Sequence, residues 1–441
     1  MTASAHDVGT AANAPAPAST REGAARFLTE VVAARSALAV IGLHVVDDSF
    51  LQPQPGTSAF DHLVSGLVPL AALGLAAWGY PRLRAGLRAV VALFFGILGM
   101  VSGVEAGYYT TKGGPTGDDF TGLLAIPAGA VLLGLGALVL WRSRKGGRPA
   151  WRYTRRALLA VGGLAVVYLL VFPLSFSYII THVARGYVPE PELGTAYETV
   201  SFTTSDGLEL RGWYVPSQTR AAVIAFPGRS GPQRPARMLA RHGYGVLLFD
   251  RRGEGESEGD PNALGWKGER DVLAAVEFLR GRPDVDPERI GGIGLSVGGE
   301  MMIEAAAESE GLAALVSEGA GIRSVREALA IPGTRMKIEA VLAFGLVTPA
   351  VAVLANSLPP ASLVDLSARI RPPVLFVYAV PGQGGEAELT ERYYGQAQEP
   401  KQIWRVPGAE HTGGLEARPE EYERRVVGFF DEALLDGGRS D

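Results

Sequence analysis

The sequence contains no cysteine, and this absence excludes disulfide bonds, thiolate nucleophiles and metal sites with cysteine ligands. It also lacks a basic excess, because 41 lysines and arginines are outnumbered by 46 acids and the net charge is -5. No basic stripe interleaved with aromatic residues is present, which argues against nucleic acid as a partner. No cluster of metal-ligating side chains is evident either, so neither a metal nor an organic cofactor is expected.

Apolar residues, by contrast, make up 47% of the chain, and long apolar runs are concentrated between residues 27 and 181. A helix rises about 1.5 Å per residue and needs about 20 residues to cross a bilayer. We therefore predict an all-α transmembrane region of about five helices at 27–181, after a disordered N-terminal tail at 1–26. The predicted membrane-spanning stretches are 27–46, 62–80, 87–104, 120–141 and 157–180.

The first stretch is the weakest candidate for a span, because Glu30 and Arg35 lie inside it. A charged side chain near mid-bilayer costs at least about 2.5–3.5 kcal/mol. The two charges lie near one end, where they can pair or reach the interface. Whether this stretch spans the membrane stays open at this point.

The loops between the stretches differ in charge, and this difference predicts an orientation. The segments 82–88 and 142–156 carry arginine and lysine without acids, whereas the alternate loops carry aspartate and glutamate. Positive loops face the cytoplasm. The fifth stretch then ends outside, so we expect an integral cell-membrane protein whose chain after residue 181 is extracytoplasmic.

A proline-rich linker at 182–196 separates this region from a water-soluble domain at 197–437. Within the domain, β-like runs alternate with segments of helical spacing. This alternation predicts an α/β fold with an eight-stranded, mostly parallel sheet and helices on both faces. The predicted strands are 198–203, 208–215, 222–226, 246–249, 290–295, 315–317, 374–378 and 402–406, and the predicted helices are 233–241, 269–280, 300–309 and 422–435.

The segment 290–300 has the strand, turn and helix pattern of a nucleophile elbow. Gly294 and Gly298 flank Ser296 at the spacing that a sharp turn requires, because glycine tolerates close approach and unusual backbone angles. We predict that Ser296 is a nucleophile. Ser257 lies in a second G-x-S-x-G match, but two glutamates flank it and loop residues follow, so it is rejected.

A serine nucleophile needs a base, and histidine is the usual one near neutral pH. Beyond the linker only His242 and His411 are available, and His242 fits a helix C-terminus. His411 lies in a loop between the last predicted strand and helix, so it is the expected base. For the acid that orients it, Glu386 after the seventh strand is preferred, with Glu388 and Glu318 as alternatives.

An oxyanion hole requires two backbone N–H donors. The residue after the nucleophile, Val297, supplies one of them in such elbows. The loop after the third strand is placed to supply the other through the N–H of Arg229. The alternative for this loop is a plain tight turn at Pro227 and Gly228.

Four stretches in this order, 226–229, 249–257, 294–299 and 407–414, carry a family resemblance. Residues 195–436 resemble the α/β-hydrolase superfamily, most like its dienelactone-hydrolase and acylaminoacyl-peptidase-like branches. The resemblance implies that Asp250 and Ser257 belong to a structural loop. Two departures are visible: Pro227 stands where many relatives have histidine, and a glycine run ending in glutamate replaces the common Gly-x-x-Asp acid.

An insert at 321–372 lies where such folds carry a lid, and its segment 340–354 is uncharged and apolar. This composition suggests a lipophilic acyl substrate, with membrane lipid as the other partner; the oligomeric state is not predicted. The expected function is a membrane-anchored serine hydrolase that cleaves an ester, thioester or amide bond through an acyl-enzyme, or passes the acyl group to another acceptor. The alternative is a membrane binding, sensing or transport protein whose hydrolase-like domain is catalytically silent.

Overall fold

The structure is a computed structural model that describes residues 18–113, 117, 119–142, 149–183, 185–231, 233–331, 334–383 and 385–436. Most of the tail predicted at 1–26 lies outside these residues, but its last part does not. The first helix begins at Ala18, so 18–26 is helical where disorder was predicted. Glu22 and Arg26 are one helical turn apart and form an ion pair, which is compatible with helix.

The N-terminal region consists of long α-helices, and π-helical turns at Asp47–Leu51 and Val167–Val171 extend two of these helices. Among the described residues, five helical stretches are long and apolar enough to cross a membrane, so the five predicted apolar stretches are present as helices. They cover Glu22–Leu51, Leu63–Arg82, Ala85–Tyr108, Asp119–Arg142 and Val161–Thr181. The α-helices are α1 (Ala18–Val46), α2 (Leu63–Gly79), α3 (Ala85–Gly113), α4 (Asp119–Arg142), α5 (Pro149–Val166) and α6 (Phe172–Thr181).

The two charges inside the first stretch do not pair with each other. Glu30 forms an ion pair with Arg88 of α3 at 3.0 Å and accepts a hydrogen bond from the Tyr80 hydroxyl. Arg35 donates to the main-chain oxygen of Ala77 at 2.9 Å. Compensation by neighbouring helices lowers the cost of placing these charges in α1.

The second region is an eight-stranded sheet, and the predicted α/β fold is confirmed. The strand order is β1-β2-β4-β3-β5-β6-β7-β8; β1 and β2 run antiparallel to their neighbours and the remaining pairs are parallel. The strands are β1 (Glu198–Thr203), β2 (Glu209–Val215), β3 (Ala222–Phe226), β4 (Gly245–Phe249), β5 (Ile290–Leu295), β6 (Ala314–Glu318), β7 (Val374–Pro381) and β8 (Lys401–Ala409).

Helices cover both faces of this sheet. Ile224 and Leu247 belong to the apolar core on one face, whereas Val223 and Val246 belong to the core on the other, as expected for parallel strands that are buried on both sides. The helices are α7 (Arg234–Arg241), α8 (Gly268–Arg280), α9 (Val297–Glu308), α10 (Val325–Ala330), α11 (Thr334–Leu354), α12 (Leu363–Ser367), α13 (Glu386–Gln396), α14 (Gly414–Ala417) and α15 (Pro419–Phe430), the last extended by a π-helical segment at Asp431–Asp436.

The α/β domain docks on the helical bundle through segments that follow the carboxyl ends of its strands. The loop after β4 donates two main-chain hydrogen bonds: Gly259 donates to Pro55 and Ala263 donates to Ile180, both at 2.8 Å. The insert between β6 and β7 contains α10, α11 and α12, and α11 packs against α6. The carboxyl edge of the sheet therefore faces the bundle, at the end opposite the turn between α2 and α3.

Candidate active site

Ser296 lies between β5 and α9 in a backbone conformation that few non-glycine residues adopt, with φ of 53° and ψ of -123°. Its N–H donates to the main-chain oxygen of Glu318 at the end of β6, at 2.8 Å. Such strained residues persist where surrounding contacts hold them, and they cluster at functional sites. The elbow predicted from the glycine spacing is therefore present.

The flanking glycines are required by close approach, while the positive φ belongs to the serine itself. A Cβ at Gly294 would lie 2.3 Å from the main-chain oxygen of Gly298. A Cβ at Gly298 would lie 2.3 Å from the Phe226 ring. Only glycine fits at both positions without moving β3 or the start of α9.

A continuous hydrogen-bonded line joins the three side chains that were predicted as nucleophile, base and acid. Ser296 Oγ lies 3.0 Å from Nε2 of His411, and Nδ1 of His411 lies 2.8 Å from Oε2 of Glu386. Glu386 begins α13, directly after β7, and His411 follows β8. The topology therefore delivers residues from three strand ends to one place.

The carboxylate against His411 is Glu386 and not its neighbour Glu388, which is exposed. Glu386 is buried and also accepts N–H bonds from Ala379 at 2.9 Å and Gln383 at 3.1 Å. These contacts fix the carboxylate in the orientation in which one oxygen faces the imidazole. The glycine run before it allows the chain to turn back from β7 toward α13, with Gly385 at φ of 88°.

The site electrostatics favour a cationic imidazole next to an ionised glutamate. Burial by itself would raise the pKa of Glu386, but the hydrogen bonds from His411 and from the two backbone N–H groups lower it below its ordinary value. The hydrogen bond to Glu386 raises the pKa of His411 above its ordinary value of 6.5, against an opposing effect of burial. The pair can therefore accept and hold a proton taken from the serine.

Glu318, the third candidate acid, lies behind the histidine loop. Its carboxylate accepts hydrogen bonds from the Gly414 N–H at 2.9 Å and from the Tyr422 hydroxyl at 2.7 Å. Burial raises the pKa of Glu318. The sequence did not predict that Glu318 holds the histidine loop. The available signal was an acid at the end of a short, mostly apolar strand.

Of the two N–H groups predicted to form the oxyanion hole, the structure leaves one available and engages the other in a hydrogen bond. Val297 is the first residue of α9, and N–H groups of a first helical turn have no acceptor within their own helix. The N–H of Arg229, however, donates to Oδ1 of Asp250 at 3.1 Å. The side chain of Arg229 also donates to Oδ2 of Asp250 through Nε at 3.0 Å and Nη2 at 2.7 Å.

The prediction that Arg229 supplies the second donor is therefore wrong for this structure. A buried carboxylate needs hydrogen-bond donors, and Asp250 accepts from both the main-chain N–H and the guanidinium of Arg229. The sequence of 249–257 shows an acid in a loop, but it does not show that this acid contacts the loop after β3.

The two rejected residues have structural partners. Ser257 is fully buried; its hydroxyl donates to the main-chain oxygen of Asp250 at 2.6 Å and accepts from the Arg211 N–H at 2.9 Å. His242 follows α7 on the surface, and its Nε2 lies 2.8 Å from Glu423. Neither contacts the Ser296, His411 and Glu386 line.

A buried ionic cluster lies directly behind the elbow and was not predicted. Arg323, at the start of the insert, pairs with Glu304 at 2.7 Å and with Glu300 at 3.5 Å, both on α9. Glu300 also accepts the Gly321 N–H at 3.1 Å. Burial raises the pKa of Glu300 to about 7, against the opposing charge of Arg323. The cluster ties the base of the insert to the helix that carries the elbow.

Comparisons with known proteins match the domain that carries this site. The family model for X-Pro dipeptidyl-peptidase (S15 family) matches residues 190–404. The uncharacterized protein YfhR of Salmonella typhi is 27% identical over 314 residues, which is 64% of this chain and 98% of that protein. The uncharacterized protein Rv2307c of Mycobacterium tuberculosis is 34% identical over 235 residues, which is 51% of this chain and 74% of that protein.

Among solved structures, an esterase from Pyrococcus furiosus is similar, with 23% identity and a TM-score of 0.46. The match covers 57% of this chain and 100% of that chain. The residues that the family model matches begin after the last helix of the N-terminal bundle, in agreement with the sequence resemblance over residues 195–436.

Proposed function

The chain belongs to the α/β-hydrolase superfamily, and we propose that it is a membrane-anchored serine hydrolase that cleaves an ester, thioester or amide bond through an acyl-enzyme. The observation that carries this proposal is the line from Ser296 Oγ to His411, at 3.0 Å, and on to Glu386, at 2.8 Å. It combines a nucleophile, a base and an orienting acid in hydrogen-bond contact.

In the proposed reaction, the Ser296 oxygen attacks the carbonyl carbon of the substrate while Nε2 of His411 takes the hydroxyl proton. Glu386 stays ionised and stabilises the imidazolium through Nδ1–H. The tetrahedral intermediate then expels the alcohol, thiol or amine, which leaves with the proton from His411. Water attacks the resulting acyl-serine with His411 again as base, and this step releases the carboxylic acid and restores the serine.

The negative oxygen of the tetrahedral intermediate needs donors that are already in place. The Val297 N–H meets this requirement, since it opens α9 and lies beside the nucleophile. One such donor contributes about 2.7–4 kcal/mol to transition-state stabilisation. The positive end of the α9 dipole adds to this stabilisation.

The placement of the domain supports a lipophilic acyl substrate. The carboxyl edge of the sheet carries Ser296 and faces the helical bundle. The insert helix α11 packs along α6, where the Ser177 hydroxyl lies 3.4 Å from the main-chain oxygen of Val347. This placement brings the edge that carries Ser296 close to the apolar bundle, which favours a substrate with an apolar chain.

The orientation that we propose places the α/β domain outside the cytoplasmic membrane. The domain docks at the end of the bundle opposite the turn that carries Arg82 and Arg84. Positively charged turns remain in the cytoplasm. The domain and the basic turn therefore fall on opposite sides of the five spans.

A membrane-impermeant fluorophosphonate applied to intact cells tests this proposal. We expect labelling of the wild type and of Ser205→Ala, an exposed-loop control, and none of Ser296→Ala. Labelling that appears only after lysis would retain the serine chemistry and reverse the orientation. If wild-type protein that is folded and present in the membrane labels under neither condition, the proposed chemistry is overturned and a catalytically silent domain takes its place.

A further inference from the structure

A large cavity lies within the helical bundle, away from Ser296. Its volume is about 640 Å³, and it is bounded by α1, α2, α3, α6 and the insert helix α11. Neither Ser296 nor His411 lines it. A cavity of this size matches the roughly 300–1,000 Å³ of small-molecule sites. Apolar side chains form most of the wall, among them Leu73, Phe94, Phe95, Leu98 and Leu174.

The end of the cavity nearest the α/β domain is polar and carries four carboxylates, one arginine and three histidines. Two histidine–aspartate pairs lie there: His182 Nε2 is 3.8 Å from Asp48 Oδ2, and His62 Nε2 is 3.5 Å from Asp260 Oδ1. Further charged residues that line the cavity are Glu105, Asp119 and Arg185. Arg185 donates to main-chain oxygens of Ser257 and Gly259, so its charge is directed toward the docked domain.

His44 supplies a buried hydrogen-bonding atom without a partner. The residue lines the cavity and is 3% exposed, and its Nε2 has no hydrogen-bond partner among the described residues. Such an atom is costly to leave unsatisfied. Its position in the wall makes a bound ligand the natural partner.

The tautomer of His44 follows from its other nitrogen. Nδ1 lies 3.4 Å from Oγ1 of Thr121, and that hydroxyl donates its proton to Asp47 at 2.6 Å. The Thr121 oxygen therefore acts as acceptor, and Nδ1 carries the hydrogen. In the neutral ring Nε2 is then an acceptor, so the missing partner must be a donor.

We propose that this cavity binds an amphipathic lipid with an apolar chain and a hydrogen-bond-donating, non-anionic head group, either a hydroxyl or an ammonium. The chain lies along Leu73, Phe94 and Leu98, and the head group donates to Nε2 of His44. The carboxylates at the polar end repel an anionic head group and attract a cationic one. The site is separate from the proposed chemistry at Ser296.

Binding to the full-length protein in detergent can be measured by native mass spectrometry with three probes of one chain length. Dodecanol carries a hydroxyl, laurylamine carries an ammonium and laurate carries a carboxylate, and none of the three contains an ester or amide bond that the proposed chemistry would cleave. We expect dodecanol or laurylamine, or both, to bind in one-to-one stoichiometry and more tightly than laurate. His44→Phe keeps an aromatic ring at this position but removes the acceptor nitrogen Nε2, so it should weaken that binding by about tenfold.

Three further variants make the result decisive. Ala350→Phe places a large side chain in the cavity from α11 and should weaken binding of the same probe. This variant replaces His44→Phe in the test if His44→Phe does not fold. His242→Phe makes the same chemical change on the surface and should leave binding unchanged. Ser296→Ala should also leave it unchanged, whether or not the protein is a hydrolase. Preferred binding of laurate, or unchanged binding in folded His44→Phe and Ala350→Phe, would overturn the proposal.

Discussion

Glu318 is bonded to Ser296 through its main chain and to the histidine loop through its side chain. Its carbonyl oxygen accepts the Ser296 N–H at 2.8 Å, and its carboxylate accepts the Gly414 N–H at 2.9 Å, three residues after His411. The end of β6 therefore fixes both the nucleophile and the loop that carries the base. One buried acid sets the distance between two groups that must remain within hydrogen-bond reach.

Glu318→Ala removes the acceptor of the Gly414 N–H, and it is expected to lower kcat by up to about 100-fold with little change in KM, because a small displacement of the base has effects of this size. The Tyr422→Phe variant removes the other donor to Glu318 and retains the Gly414 bond. It should leave kcat near the wild-type value while destabilising the protein by about 1–3 kcal/mol. Kinetics on a short-chain ester and thermal unfolding measure the two effects. An equal fall in kcat in both variants would contradict a role specific to the histidine loop.

The acid at the site can be tested through the pH dependence of the rate. The base must be neutral, so kcat/KM should fall as pH drops through the pKa of His411, which the hydrogen bond to Glu386 raises above 6.5. Glu386→Gln removes that effect and should move the acid limb to lower pH, while the plateau falls by about 10⁴-fold. Glu388→Gln, two residues away and exposed, should change neither. A loss in the Glu388 variant, or an unmoved acid limb in the Glu386 variant, would identify a different acid.

The sequence was most informative where local geometry dictates residue type. The pattern around Ser296 follows from a turn in which neither Gly294 nor Gly298 has room for a Cβ, so the elbow is visible in one short segment. The strands were likewise predictable, because apolar runs bounded by turn residues identify buried parallel strands. The fold and its site-bearing turn are encoded locally.

Contacts between distant segments were not visible in the same way. Asp250 lies 21 residues after Arg229 and accepts its N–H, which removes the predicted oxyanion donor. The partner of Glu30 is Arg88 on another helix, and not the nearby Arg35. Such pairings depend on which side chains the folded chain brings together, and they cannot be predicted from the spacing of residues in the sequence.

The elbow glycines should be intolerant of even one methyl group. Gly298→Ala would place a Cβ 2.3 Å from the Phe226 ring and 3.1 Å from the Phe226 oxygen. We expect a loss of stability of about 1–3 kcal/mol and a strong loss of activity, since the backbone around Ser296 must shift. Gly428→Ala is the matched control: it lies in α15, where an added Cβ would meet open space, so helix propensity should stabilise the variant by roughly 0.5–1 kcal/mol. Equal stability of the two variants by thermal unfolding would contradict the steric requirement.

The absence of cysteine makes the orientation of the chain directly measurable, because a single introduced thiol has no background. Ser205→Cys lies on an exposed turn of the α/β domain, and Gly86→Cys lies at the start of α3, beside the basic turn. If the positive turns face the cytoplasm, an impermeant maleimide should label Ser205→Cys on intact cells and Gly86→Cys only after lysis. Both thiols should react in the lysed sample, which controls for burial. The reverse pattern would place the α/β domain in the cytoplasm, and a lipid substrate would then have to come from the inner leaflet.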